Sequence, residues 1–125
     1  KNGVASRIQF IDHDILNDEL ENCFNIIISN PPYVPLKEYK SLQDNVRCFE
    51  PREALTEDAD GLTFYRSFAA KGKNWLQEGG IMILEVGCGK HPLYAKELFE
   101  SAGWTEVELS NDYNGDPRVL KAKRP

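Results

Sequence analysis

The run Phe24-Asn25-Ile26-Ile27-Ile28-Ser29-Asn30-Pro31-Pro32-Tyr33 decides how the rest of the chain is read. Three consecutive β-branched isoleucines are stiff at χ1 and suit a strand buried on both faces, as in a parallel sheet. Two prolines then remove two backbone donors and hold the chain extended, so no helix starts there. Upstream, Ile8-Gln9-Phe10-Ile11 reads as a shorter strand running into the polar Asp12-His13-Asp14. Downstream, residues 34–60 are polar, charged and irregular, with a second break at Glu50-Pro51. Connections that long are usually functional or mobile. From Asp60 the period becomes helical: Leu62, Tyr65, Phe68, Ala69, Gly72, Trp75 and Leu76 share one face, and Gly79-Gly80 is expected to end the helix. Residues 81–86 form a second buried-strand candidate. Pro92 opens a helix that Gly103 closes, residues 104–109 alternate like a half-buried strand, and residues 118–122 return after the turn signals Asn114-Gly115 and Asp116-Pro117.

That order predicts an α/β fold with a mostly parallel sheet and a terminal antiparallel strand pair. Open sheets of this kind bind ligands beyond the carboxyl ends of their strands, where Asp14, Asn30 and Glu85 fall. The chain has 125 residues, enough for a single domain, with 41% hydrophobic and 28% charged residues, which argues against general disorder. No apolar run reaches the roughly 20 residues of a membrane span, and no leader is read at the start. A net charge of −5 argues against a phosphate-tracking nucleic-acid surface. Cys23, Cys48 and Cys88 are odd in number and far apart, so neither a disulfide framework nor a metal cluster is expected, and a cytoplasm-like compartment is the simpler reading. His13 and His91 read as surface residues.

As a bare Asn-Pro-Pro, the break after the isoleucines reads as a stiff turn. The full tetrapeptide at a parallel strand's carboxyl end resembles the motif of amino-methyltransferases, which methylate a planar NH2 group from S-adenosylmethionine. The chemistry suits the residues. An amide nitrogen has its lone pair delocalised and is a poor nucleophile. Two acceptors aimed at its two N–H bonds, the Asn30 side-chain oxygen and the Pro31 carbonyl, can turn that lone pair towards a methyl donor. The prolines fix the carbonyl's direction, and Tyr33 offers a flat wall. Catalysis of this kind works by orientation and local electrostatics, with general-base chemistry secondary.

Further blocks narrow the resemblance: Phe49-Glu50-Pro51-Arg52-Glu53-Ala54-Leu55, Asp60-Gly61-Leu62 with Tyr65-Arg66, Gly79-Gly80, Leu84-Glu85-Val86-Gly87, Ala102-Gly103-Trp104 and Gly115-Asp116-Pro117-Arg118-Val119. In this order the chain is similar to the carboxyl-terminal half of the catalytic domain in the HemK/PrmC protein-glutamine methyltransferases that modify peptide chain release factors. The resemblance implies a partial Rossmann-like class I methyltransferase fold with S-adenosylmethionine as cofactor. It implies methylation of the glutamine amide in a release factor's Gly-Gly-Gln motif, with the release factor as protein partner, in the cytoplasm or, in a eukaryote, the mitochondrion. Carried over by position, Asn30, Pro31, Pro32 and Tyr33 are catalytic and substrate-binding, and Asn30, Asp14 and Ile15 contact the cofactor. Glu50 shapes the substrate pocket or is an exposed acid on a structural turn. Glu85 is a hydrogen-bonding residue of the pocket floor. Residues 1–125 then form one incomplete domain, inactive alone, without the first two strands and the amino-terminal substrate-binding domain.

Glu85-Val86-Gly87-Cys88-Gly89 mimics a short cofactor-binding glycine loop, but too little chain follows to complete a permuted cofactor half. Two other functions remain open. Adenine-N6 nucleic-acid methyltransferases share the tetrapeptide, although the negative charge goes against them, and a non-catalytic methyltransferase-like binding module would retain the same residues. The isoleucine strand is expected to present an unprotected edge through which the chain self-associates.

Overall fold

The computed structural model describes residues 2–20, 23–42, 50–57 and 59–125. Cys48 and Phe49 lie outside them. After a 3-10 turn at Ala5–Arg7 come β1 (Phe24–Ser29), two single-turn helices α1 (Leu36–Tyr39) and α2 (Arg52–Leu55), and α3 (Thr63–Trp75). Then follow β2 (Leu76–Glu85), α4 (His91–Ser101), β3 (Thr105–Asn111) and β4 (Pro117–Lys123). The four strands form one mixed sheet in the order β1-β2-β4-β3. β1 and β2 are parallel, with Ile26 opposite Ile81 and Ser29 opposite Leu84. β2–β4 and β3–β4 are antiparallel.

The helical face read from the sequence is the face that packs. Tyr65, Phe68, Ala69, Gly72 and Trp75 of α3 are buried, and they meet Met82, Leu84, Ala95, Phe99, Trp104 and Leu120 in a single apolar core. Gly72 sits where α3 crosses β2: a Cβ there would lie 2.5 Å from Met82 Cε, so only glycine fits without a shift. The terminal hairpin is closed by Asp112, which accepts the N–H groups of Asn114 and Asp116 and holds Arg118 at 3.2 Å.

Three expectations are corrected. Residues 8–11 are not a strand: Ile8, Phe10 and Ile11 are exposed, Phe10 by 93%. An apolar run becomes a strand only where a neighbour takes its backbone N–H and C=O groups, and the described sheet offers it none. Second, α3 ends at Trp75, and Gly79-Gly80 lie inside β2. There Gly79 donates to Arg124 C=O, Arg124 donates back to Gly80 C=O, and the β1 register slips between Phe24 and Ile26, so the glycines form a bulge. Third, residues 34–60 are not wholly irregular, because α1 and α2 start behind Pro35 and Pro51. β1 is an edge strand whose Ile26 and Ile28 are exposed.

Candidate functional site

The site grows from the carboxyl ends of β1 and β2. Asn30 leaves β1 exposed, and among the described residues its side chain has no hydrogen-bond partner. Pro31 is buried, and Pro32 and Tyr33 are half-buried. The Tyr33 hydroxyl donates to Glu85 Oε1 at 2.8 Å, across from one strand end to the next. Burial and the Glu85 carboxylate push the Tyr33 pKa up to about 12, so the phenol stays protonated and serves as a fixed wall. Glu85 is therefore the hydrogen-bond partner that fixes Tyr33. From the core side Tyr65 donates to the Glu85 backbone carbonyl at 2.5 Å.

The segment after the tetrapeptide is tied down by backbone bonds, Val34 N–H to Leu55 C=O and Leu36 N–H to Ala59 C=O, both at 3.0 Å. The Asp60-Gly61-Leu62 block explains itself here. Asp60 accepts the Leu62 N–H and pairs with the two terminal guanidinium nitrogens of Arg66, which hold its carboxyl well below the usual range, at about 2. Glu57 accepts the Thr63 N–H, so two acids cap α3. Gly61 has φ +84°, and a Cβ on it would stand 2.4 Å from the Tyr33 carbonyl oxygen. Gly61→Ala is therefore expected to lower stability by about 2 kcal/mol or more and to displace Tyr33, from a strained φ and a backbone overlap together. Urea unfolding reads the loss; an unchanged midpoint would contradict the close approach.

One participant was missed. His91, expected at the surface, is half-buried at the start of α4. Its Nδ1 accepts the Gly87 N–H at 3.1 Å and its Nε2 lies 2.8 Å from Gly61 C=O, a pair of bonds only the neutral Nε2–H tautomer satisfies. Its ring meets Tyr65 edge-on at 4.7 Å and Tyr33 at 5.9 Å. The one hint in the sequence was its position four residues after a strand-end glycine. Gly87, with its N–H engaged in this way, is closed to a cofactor, which goes against reading residues 85–89 as a cofactor loop. His13 is also not at the surface: it is half-buried, 3.9 Å from Asp18.

Asp14 and Ile15 stand apart from this cluster. Asp14 accepts the Leu16 N–H and the Asn17 side-chain amide, bonds that lower its carboxyl pKa, and Ile15 packs on the core. Their turn is held by Lys71, which donates to Leu16 C=O, about 13 Å along α3 from the site end by helix rise. No hydrogen bond among the described residues joins this turn to residues 30–33. The residues present fit the methyl-acceptor side of the expected chemistry through Asn30, Pro31 and Tyr33, while Asp14 engages its own turn. Glu50 is exposed ahead of α2. An open cleft of about 1310 Å³ begins at Tyr33 and runs between Leu36 and Lys37 on one wall and Lys90 and Tyr94 on the other, over Leu62. Neither Asn30 nor Glu50 lines it.

Comparison with known proteins bears on the same residues. No protein-family model matches the chain. The chain is 32% identical to the release factor glutamine methyltransferase of Geobacter sulfurreducens over 93% of its own length and 40% of that protein's. It is 35% identical to the Chlorobaculum tepidum protein of that name over 94% of the chain and 40% of the relative. It is 36% identical to the Cereibacter sphaeroides one over 98% of the chain and 44% of the relative. The chain matches part of a release factor glutamine methyltransferase. It spans about two-fifths of the length of these curated relatives. In three dimensions it superposes on the release factor-specific protein-(glutamine-N5) methyltransferase of Alicyclobacillus acidocaldarius with a TM-score of 0.52 and 28% identity, covering 82% of this chain and 49% of that one. A possible exported protein from Bordetella parapertussis reaches a TM-score of 0.61 over 98% of this chain and 46% of that one, at 14% identity, and shows the fold alone. The fold is thus the partial Rossmann-like one, and β1-β2-β4-β3 is the piece of that sheet this methyltransferase-like chain contributes.

Proposed function

We propose that this chain carries the methyl-acceptor side of an S-adenosylmethionine-dependent protein-glutamine N-methyltransferase whose substrate is the Gly-Gly-Gln glutamine of a peptide chain release factor. The observation that carries the reading is the free Asn30 amide at the end of β1, beside a Tyr33 ring pinned to Glu85. S-adenosylmethionine supplies the electrophilic methyl group when bound. The chain's own residues orient the acceptor: the Asn30 carbonyl oxygen and the Pro31 carbonyl take the two N–H bonds of the glutamine amide, and Tyr33 flanks its plane. Transfer forms the N–CH3 bond, breaks the methyl–sulfur bond and releases one amide proton, which passes to solvent; Asn30, the Pro31 carbonyl and the protonated Tyr33 orient the amide and do not take that proton up. The wide cleft that begins at Tyr33 suits a protein loop better than a small metabolite, whose pockets run to roughly 300–1,000 Å³.

The proposal includes translation termination in the cytoplasm or a mitochondrion as the setting and, for residues 1–125 taken by themselves, self-association through the exposed β1 edge. The test is methyl transfer by the full-length protein to a purified release factor, with mass spectrometry of the Gly-Gly-Gln peptide. One added methyl on the glutamine supports the reading. Methylation of adenine in DNA or RNA instead, or none on either substrate, would overturn it.

A further inference from the structure

His91 is a half-buried side chain that joins three elements at this site. It reaches Gly61 at the head of α3 and Gly87 behind β2, and its ring touches those of Tyr33 and Tyr65. Gly87 in turn presses on the Tyr33 ring, where a Cβ would come within 3.0 Å of Tyr33 Cδ2. We propose that His91 is a positioning residue for Tyr33, and that the site is competent only while the imidazole is neutral. The inference rests on the proposed methyl transfer for its consequence in activity, but its structural half stands by itself.

The argument is one of lone pairs. Nδ1 can accept the Gly87 N–H only while it is unprotonated, whereas the Nε2–H bond to Gly61 survives in either state. Protonation therefore sets two N–H groups against each other and frees the Gly87 backbone that backs Tyr33. The charged and titratable groups facing the ring are Glu38 from α1, Glu57 and Asp60 from the segment before α3, Tyr65 from α3, and Tyr33 with its partner Glu85. The carboxylates Glu57, Asp60 and Glu38 favour the cation, as does the bond to Gly61, but burial outweighs them and the imidazole pKa lies below its ordinary value. The sign follows. Above the unfolded-state value both states are neutral and the stability contribution is complete; as pH falls, the unfolded chain takes up the proton first and stability is lost until the folded imidazole also titrates.

The test uses the full-length protein in two arms. In the first, histidine and glycine labelled with 15N and tyrosine with 13C are followed by NMR through an acid titration. The Gly87 amide and the Tyr33 ring should shift with the same midpoint as His91 Nδ1; resonances that stay in place while His91 titrates would overturn the inference. In the second, kcat/KM for release-factor methylation should fall about tenfold per pH unit below that midpoint, the slope of one proton. His91→Asn, with an oxygen where Nδ1 was, and His91→Gln, with an amide donor where Nε2 was, should each lose that acid limb. A wild-type acid limb in either folded variant would overturn the proposal, and the wild-type titration decides it should both variants fail to fold. Absence of any methylation, with the linked NMR shifts intact, would overturn the proposed function and leave His91 as the keystone of whatever the cleft binds.

Discussion

In the full-length protein, Asn30→Ala should reduce kcat for release-factor methylation about 100-fold or more while KM changes little. On the proposed mechanism the substitution removes one of two acceptors that would orient the amide, an interaction of use only when the nitrogen faces the methyl donor. It should leave folding alone. Asn30 is exposed and its side chain has no hydrogen-bond partner among the described residues, so truncation strands no buried group. A stability change within about 0.5 kcal/mol is therefore expected. Single-turnover assays read the first quantity and urea unfolding the second. Turnover near the wild-type value would remove Asn30 from the mechanism, and a large loss of stability would show that its role is architectural.

Trp104→Ala should show the opposite pattern, a large loss of stability at a distance from the chemistry. The indole is 5% exposed, its ring lies 5.1 Å from that of Phe99, and its Nε1 donates to Ala69 C=O at 2.9 Å. It is the point at which α3, α4 and the start of β3 meet. Gly72 is shaped to it: a Cβ there would lie 3.2 Å from the indole Cζ2. Removing a buried tryptophan costs about 3–5 kcal/mol, a large share of the roughly 5–15 kcal/mol that holds a domain of this kind together. Urea or thermal unfolding of the variant beside the wild type measures it. A loss below about 1 kcal/mol would mean that the neighbours collapse into the cavity.

Local signals made much of this molecule legible. The period of α3, the proline at the head of α4 and the turn residues before β4 each act within a few positions; the structure places α4 and β4 where they were read, and keeps the buried face of α3 but ends that helix at Trp75. The carboxyl ends of β1 and β2 do converge, bringing residues 30–33 to Glu85. Non-local facts were not legible. Whether residues 8–11 pair depends on a neighbour, which no hydrophobic run can specify. His91 finds its partners in two backbone groups, one of them at Gly61, and side-chain chemistry alone does not point to a carbonyl in another loop. The turn at Asp14 was not read, although Asp followed by Asn17 and Asp18 favours one that caps itself.

The sheet order also sets a sequence of assembly. β4 meets β3 across a tight hairpin, with Leu120 opposite Leu109, whereas β1 must find β2 about fifty-five residues further along the chain, with Ile26 opposite Ile81. Closing the longer loop costs about 1.4 kcal/mol more in chain entropy before any bond repays it. The hairpin and its neighbours are thus the natural nucleus, and β1 docks late and leaves early. Amide protons shared between β1 and β2 should then exchange with solvent through smaller openings than those between β2 and β4. Among the four strands described, the one that delivers Asn30 is then expected to dock last, so residues 30–33 meet Glu85 only after β2 is in place.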